Sequence, residues 1–504
     1  MLQNIKSATK NSIIYGFGNI SIKLVGLILI PIYTDPKYLT FEDFGRLGLL
    51  EVTSILLSAV LGLSLSQGIS RWYWDDLYKE KQKSITFTIL FFLFIIGIAF
   101  LTFSWFSADA FSQLLFSTPN FGSLLFIVIL ASTLQVEIVL IQTIMKLQQR
   151  SGFFAITNTI KLIVTLSITI YLVVFKKMAV EGIYIAQVLG NIFFLLIVLK
   201  YISGSIQIRF EMKALKGMLA YSMPLILASV SAILLSSQDR YILNHYSSLN
   251  DVGIYSLAYR MSNTIKLLVV TSVQMAVSPM LFQMMNNKNR HRFYSKYMTY
   301  FALVVTLFTI LLNLFCFEIL KIFTSDINYW KAAYVIPIIS FALLFDMLKD
   351  TSLTGLQIQK KTWIISSVVI LIACINMGLS FLMIPFWNYH GAAAATLISE
   401  IIFFILIYHF AQKHYKIPYE LRKVLMLILI AMIFSAIAYF INEKDLLFRL
   451  VVKTLMVISF PFILWMMKFY DAIELERIHG FVRKWKDPSN WTLRKGNSSK
   501  KGDE

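Results

Sequence analysis

Charge is scarce in this sequence. Asp, Glu, Lys and Arg supply 14% of its 504 residues, against ~25% in a soluble protein. Apolar side chains fill the deficit: they make up 58% of the chain and give a mean hydropathy of +0.70. No water-soluble core absorbs that much apolar surface, so the natural solvent is a bilayer. Cysteine is nearly missing as well. Cys316 and Cys374 both sit inside apolar runs, which reads as packing and carries no message about redox compartment. The six histidines are scattered. No metal-spaced His/Cys cluster, phosphate loop or nucleophile elbow appears, and no loop has room for a catalytic domain. An enzyme, a metal site and a cofactor are therefore not expected.

The net charge of +19 does not point to nucleic acid. Most Lys and Arg fall in short loops between apolar runs, as topology and an anionic leaflet require. With ~20 apolar residues per crossing, the chain offers about fourteen spans. They fall roughly at 11–33, 43–68, 84–106, 122–145, 153–175, 180–201, 217–243, 252–282, 297–321, 332–357, 362–386, 390–411, 422–441 and 447–467. Lys6 and Lys10 precede the first run, which reads as a span and not as a cleaved leader. Alternate loops divide by charge. One side holds "RWYWDDLYKEKQK", "RFEMKALK" and "NNKNRHR"; the other holds "TDPKYLTFED" and "HYSSLND", with Lys176 and Lys177 its one basic pair. The positive-inside rule makes the first side cytoplasmic, and an even span count puts both termini there. In the tail, Leu475, Ile478, Val482 and Trp485 recur at helical spacing beside Arg483, Lys484 and Lys486. That predicts an amphipathic helix on the inner leaflet.

An internal repeat runs at an offset of about 208 residues. "FEDFGRLGLLEV" aligns with "LNDVGIYSLAYR", placing Asp43 on Asp251 and Gly45 on Gly253. "AVEGIYIAQVLGNI" aligns with "NYHGAAAATLISEI", placing Gly182 on Gly391. The six spans of 1–202 thus map onto those of 203–411 in the same orientation, with 412–469 as two further spans and 470–504 as the basic tail. The aspartates are expected to cap helix starts, and the glycines to permit tight turns or close helix contact.

Ionisable groups within spans are costly and face a bundle interior. Span 1 carries Tyr15, Asn19 and Lys23 on one stripe, span 5 Asn158, Lys161 and Thr165, and span 8 Ser256, Arg260 and Asn263, followed by Lys266. Arg46 and Glu51 lie on span 2, and Asp239 and Arg240 are adjacent on span 7. Being about 100° apart on a helix, these last two cannot share a partner. Asp239 is expected to be held by a base on a neighbouring helix. Arg46 could instead snorkel to the interface, and Lys161 could pair with Glu137. Asp346, Lys349 and Asp350 read as a structural charged knot, and Pro224, Pro279 and Pro337 as kinks in spans 7, 8 and 10.

The stretch "QDRYILNHYSSLNDVGIYSLAYRM" resembles the seventh-to-eighth span region of bacterial polysaccharide repeat-unit flippases. This is the Wzx type, serving O-antigen and capsule, of the multidrug/oligosaccharidyl-lipid/polysaccharide exporter superfamily. "GLSLSQGISRWYWDD" resembles their second-span exit, where Arg71 and its aromatic neighbours match, and Pro279 in "VSPML" matches the proline near the end of their eighth span. The resemblance implies an all-α, MATE-like integral membrane fold. Two pseudo-symmetric six-helix lobes would enclose a central cavity, with two helices appended. It implies an undecaprenyl-pyrophosphate-linked oligosaccharide moved by alternating access from the inner to the outer leaflet of the bacterial plasma membrane. Membrane lipids and polysaccharide polymerase or export machinery would be partners, and a proton or sodium gradient the drive. It places Lys23, Asn19, Arg46, Arg240, Arg260 and Lys266 at the cavity, with Lys161 as a further base. Arg suits diphosphate through bidentate hydrogen bonds. Glu51, Glu137, Asp239 and Glu400 are the candidates for ion coupling or charge pairing. The alternatives are a small-molecule exporter, a flippase for another lipid-linked precursor, and, remotely, a membrane glycan polymerase or ligase.

Overall fold

The computed structural model describes Gly26, residues 28–359 and 361–471, and Glu476. Most of the first span, with Tyr15, Asn19 and Lys23, and the amphipathic tail lie outside the described residues. The regular elements described are all helical. After a helical turn at Ile30–Tyr33 come α1 (Phe41–Leu61), α2 (Leu65–Trp72), α3 (Gln82–Phe116), α4 (Gly122–Leu147), α5 (Ser151–Ile170) and α6 (Ala179–Ser205). Then follow α7 (Met212–Tyr246), α8 (Leu249–Ile265), α9 (Thr271–Gln283), α10 (Arg290–Phe323), α11 (Ile336–Ile358), α12 (Thr362–His414), α13 (Leu421–Ile441) and α14 (Leu446–Met466). Large apolar side chains point outward along them; Phe106 is 84% and Phe386 83% exposed, which suits lipid and not water. The chain is a multi-pass membrane protein.

Among the described residues, ten helices are long and apolar enough to cross a membrane. The number is eleven if Ile327–Tyr334 and Ile336–Ile358, bent by 44°, count as one span. The difference from about fourteen has physical reasons. The first expected span lies outside the described residues. The eighth runs as α8 and α9, of 17 and 13 residues, joined through a π-helical turn at Lys266–Val270; neither piece alone reaches across a ~30 Å bilayer, but the joined stretch is long enough. The eleventh and twelfth run on as the 53-residue α12, broken at Asn388 (φ 46°). Its length of about 80 Å suffices for two crossings.

Helix starts follow local chemistry. The Thr40 hydroxyl accepts the Asp43 N–H (3.1 Å) and the Asp43 carboxylate accepts the Thr40 N–H (3.1 Å), a capping box at α1. Ser248 accepts the Asp251 N–H (3.2 Å) at α8, and Ser247 and Ser248 donate to the Asp251 carboxylate. The cap residues are thus Thr40 and Ser248; the repeated aspartates take the third helical position. Pro337 sits in the first turn of α11, where no helical bond is lost. Pro224 lies inside α7, and Pro279 within α9. Span 8 breaks at Lys266–Val270, upstream of its proline. A further break separates α1 from α2, where Leu63 and Ser64 adopt φ of 48° and 49°.

By contacts the chain divides into Met1–Ala431 and Met432–Glu504. In the second unit α14 buries Arg449 and Lys453 on one face. Arg449 donates to the Asn442 carbonyl (3.0 Å) and Lys453 to its side-chain oxygen (2.8 Å). In the first unit the segment before α13 is anchored through Glu420, which accepts from Lys296 (2.8 Å) and Thr299 (2.9 Å). Burial pushes the Glu420 carboxyl up, but these donors and Lys423 hold it below its ordinary value.

The repeated glycines meet at one crossing. A Cβ on Gly45 would collide with the carbonyl of Leu249, and one on Gly48 with the Ser256 side chain. One on Gly253 would lie 3.4 Å from the Gly45 nitrogen. Gly182 and Gly391 follow the positive-φ residues Ala179 and Asn388, each where a Cβ would press on the helix just completed. Replacing Gly45 by Ala is expected to destabilise the protein by about 1–3 kcal/mol through overpacking, read as a lower unfolding temperature in detergent. Gly378→Ala, whose Cβ meets nothing within 4 Å, is expected to be neutral or to stabilise by up to ~1 kcal/mol.

Candidate functional site

The α1–α8 crossing sets the first part of the site. Gly48 touches Ser256. One helical turn further along each chain, at i+3 and i+4, stand Glu51 and Arg260, which form an ion pair. Arg260 also donates to the Gly26 carbonyl (3.4 Å) and lies 5.7 Å from the Phe44 ring. The Arg260 side chain is 16% exposed and that of Glu51 42%, so the carboxylate borders accessible space while the guanidinium is held behind it. Losing one partner of such a pair leaves an uncompensated charge, at ~3–5 kcal/mol when fully buried.

Asp239 and Arg240 come next, near the end of α7. Both are buried. The Asp239 carboxylate accepts the Tyr255 hydroxyl, the Thr396 hydroxyl (3.3 Å) and the Arg240 N–H (2.9 Å). The expected base from a neighbouring helix is not what holds it; hydroxyls from α8 and α12 do, with Arg240 adding its charge from the next position. The Arg240 guanidinium lies over Tyr259 (4.8 Å) and Tyr255 (5.9 Å), a stabilising cation–π arrangement. The two side chains make separate contacts, as their helical spacing requires. Gln238 extends the polar seam by donating to Asn376 (2.7 Å), which donates to Ser399 (3.2 Å).

A third group lies around a cavity of about 250 Å³ bounded by Ser236, Tyr259, Lys266, Asp346, Lys349, Thr396, Glu400 and apolar neighbours. Lys266 points away from Arg260 by helical spacing and pairs with Asp346 (2.5 Å). Lys349 pairs with Asp346 and with Asp350 (3.2 Å), and Gln274 donates to Asp350 (3.1 Å). Lys266 therefore belongs with this knot and not with Arg260. The Glu400 Oε2 is buried and has no hydrogen-bond partner among the described residues.

The remaining residues stand apart. Arg46 is engaged by Asp43 and Glu42 (3.4 Å) of its own helix and lies 4.3 Å from the Phe121 ring. Lys161 donates to Gln135 (3.0 Å), not to Glu137, whose Oε1 is buried with no hydrogen-bond partner among the described residues. A larger, mostly apolar cavity of about 520 Å³ opens between α1, α3, α4 and α7, with Thr53, Ser117, Tyr241, Asn244 and His245 as its polar lining. Tyr255, Thr396, Gln238 and Asn376 are not singled out by the sequence. Neutral polar residues in spans give no charge signal, and their partners are distant along the chain.

Comparison with known proteins bears on these features. The fold is shared with the lipid II flippase MurJ in an inward closed conformation (TM-score 0.72, 16% identity, covering 91% of this chain and 100% of that one). It is shared with the MATE multidrug transporter DinF-BH (TM-score 0.61, 16% identity, 81% and 95%). An outward-facing multidrug resistance MATE family transporter of the MOP superfamily is also similar (TM-score 0.59, 12% identity, 83% and 96%). The expected all-α, MATE-like architecture is thus borne out. No match is found among curated proteins. The MatE family model matches residues 224–382. The model described as polysaccharide biosynthesis protein matches residues 8–285, more than half of the chain, and the chain belongs to that family.

Proposed function

We propose that this protein is a flippase carrying a pyrophosphate-linked oligosaccharide repeat unit on undecaprenol from the inner to the outer leaflet of the bacterial plasma membrane. It would serve surface polysaccharide synthesis such as O-antigen or capsule. The observation that carries this reading is the Arg260–Glu51 pair. It is a guanidinium held at the α1–α8 crossing, with its counter-ion at the accessible edge. A diphosphate can take the place of Glu51 as a bidentate acceptor, and Arg is suited to that exchange. Arg240 adds a second buried cation on α7. The polyprenyl tail stays in hydrocarbon, so the protein needs to shelter the charged, hydrated head alone. Alternating access would be driven by a proton or sodium gradient, with both termini cytoplasmic. Lys23 and Asn19 remain candidates for the same wall.

The MatE match and the likeness to multidrug transporters favour a second reading, a small-molecule exporter. Depletion separates the two. The flippase reading expects lipid-linked oligosaccharide to accumulate in the inner leaflet, measured by leaflet-selective labelling; unchanged glycan lipids with raised drug sensitivity would reverse the ranking. Arg260→Ala is expected to lower repeat-unit export at least tenfold, the equivalent of losing a charge-assisted hydrogen bond of ~1.5–3 kcal/mol. Arg46→Ala, whose partners lie on its own helix, is expected to stay within about twofold. Equal losses in the two variants would remove Arg260 from the proposed site.

A further inference from the structure

Four acids are candidates for ion coupling, and their surroundings separate them. Glu51 has Arg260. Asp239 has two hydroxyls, a backbone N–H and the adjacent Arg240. Glu137 has no hydrogen bond at its buried Oε1 among the described residues, but it lines neither the polar cavity nor the larger apolar one. Glu400 combines both properties: a buried carboxylate oxygen without a hydrogen bond among the described residues, and a place on the wall of a polar cavity.

The charges around that cavity point the same way. Lys266 comes from the π turn, and Asp346, Lys349 and Asp350 from α11. Asp346 accepts both ammonium groups, and Asp350 accepts Lys349 and the Gln274 amide. Both acids are therefore satisfied as carboxylates. Two cations face three acids, so the cluster is neutral when Glu400 holds a proton and carries one surplus negative charge when it does not. Such a surplus in a low-dielectric site is costly. A metal ion would meet the two ammonium groups, which offer no lone pair, whereas a proton needs no ligand set. The other groups facing this space are Tyr259 of α8, Ser236 of α7 and Thr396 of α12. Thr396 lies one turn before Glu400 and bonds Asp239 (3.3 Å), so hydroxyls continue from the cavity to the α7–α8 seam.

We propose that Glu400 is the proton-carrying group of this protein, taking up a proton from water in the α7–α8–α11–α12 cavity and returning it there. The O–H bond formed on the carboxylate is the one broken on release, and no other reactant is needed. Its use in driving transport rests on the flippase reading; the binding of the proton does not.

The experiment is infrared difference spectroscopy of the full-length protein in nanodiscs, with protons alone as the probe, between about pH 5 and pH 9. The wild type is expected to lose a protonated-carboxyl carbonyl band on the alkaline side. Glu400→Gln is expected to lack that band and Glu137→Gln to keep it. Glu400→Asp is expected to keep it with a displaced midpoint, which tests the site should the Gln variant fail to fold. A band that survives Glu400→Gln, an unmoved midpoint in Glu400→Asp, or the same spectral change produced by sodium at constant pH would overturn the assignment. No glycan enters the measurement. A failure here leaves the flippase reading to the depletion experiment, and a failure there leaves the proton site standing.

Discussion

The contact on which the rest depends is the glycine crossing of α1 and α8. Two helices approach closely in a membrane when small residues remove the side chains between them, because lipid supplies no hydrophobic drive to hold them together. Gly45, Gly48 and Gly253 do this here, and the capping interactions at Thr40 and Ser248 fix where each helix begins. Both starting points and approach are then set. Glu51 and Arg260 meet as a consequence of register, and the same register leaves Arg240 of α7 over the rings of Tyr255 and Tyr259.

The bilayer imposes a second constraint, that buried charges find partners or lose their charge. The chain meets it in three ways. Arg46 is neutralised by its own helix start. Lys266, Asp346, Lys349 and Asp350 neutralise one another across the π turn and α11. Arg260 of α8 is neutralised by Glu51 of α1, through a pair that is half open to its surroundings. On the proposed function the last arrangement is the one an incoming anion would enter, since a phosphate in place of the carboxylate also supplies negative charge to the guanidinium.

Much of this is legible in the sequence, for reasons that are local. Spans show because the apolar runs are long. The Asp43/Asp251 and Gly45/Gly253 matches show because a repeated helix start needs the same caps and the same absence of a Cβ. The knot at Asp346, Lys349 and Asp350 shows because i, i+3, i+4 spacing puts the three on one face. What does not show depends on distant contacts. Nothing near Asp239 announces that Tyr255 and Thr396 will satisfy it. Nothing at Lys266 marks a π turn, and nothing near it announces that Asp346 of α11 will be its partner. The break between α1 and α2 falls on Leu63 and Ser64, residues with no preference for positive φ, so packing, not propensity, must hold it.

The π turn also relates the two functional groups physically. Arg260 and Lys266 lie on one continuous stretch of helix, either side of the point where its hydrogen-bonding changes. Lys266 is fastened to α11 through Asp346, while Arg260 is fastened to α1 through Glu51. A rigid α-helix would move both ends together. Single π turns inside α-helices are frequent at functional sites, and this one begins at Lys266. On the two proposals, the proton cavity beside Lys266 and the anion site at Arg260 would lie along one helical element.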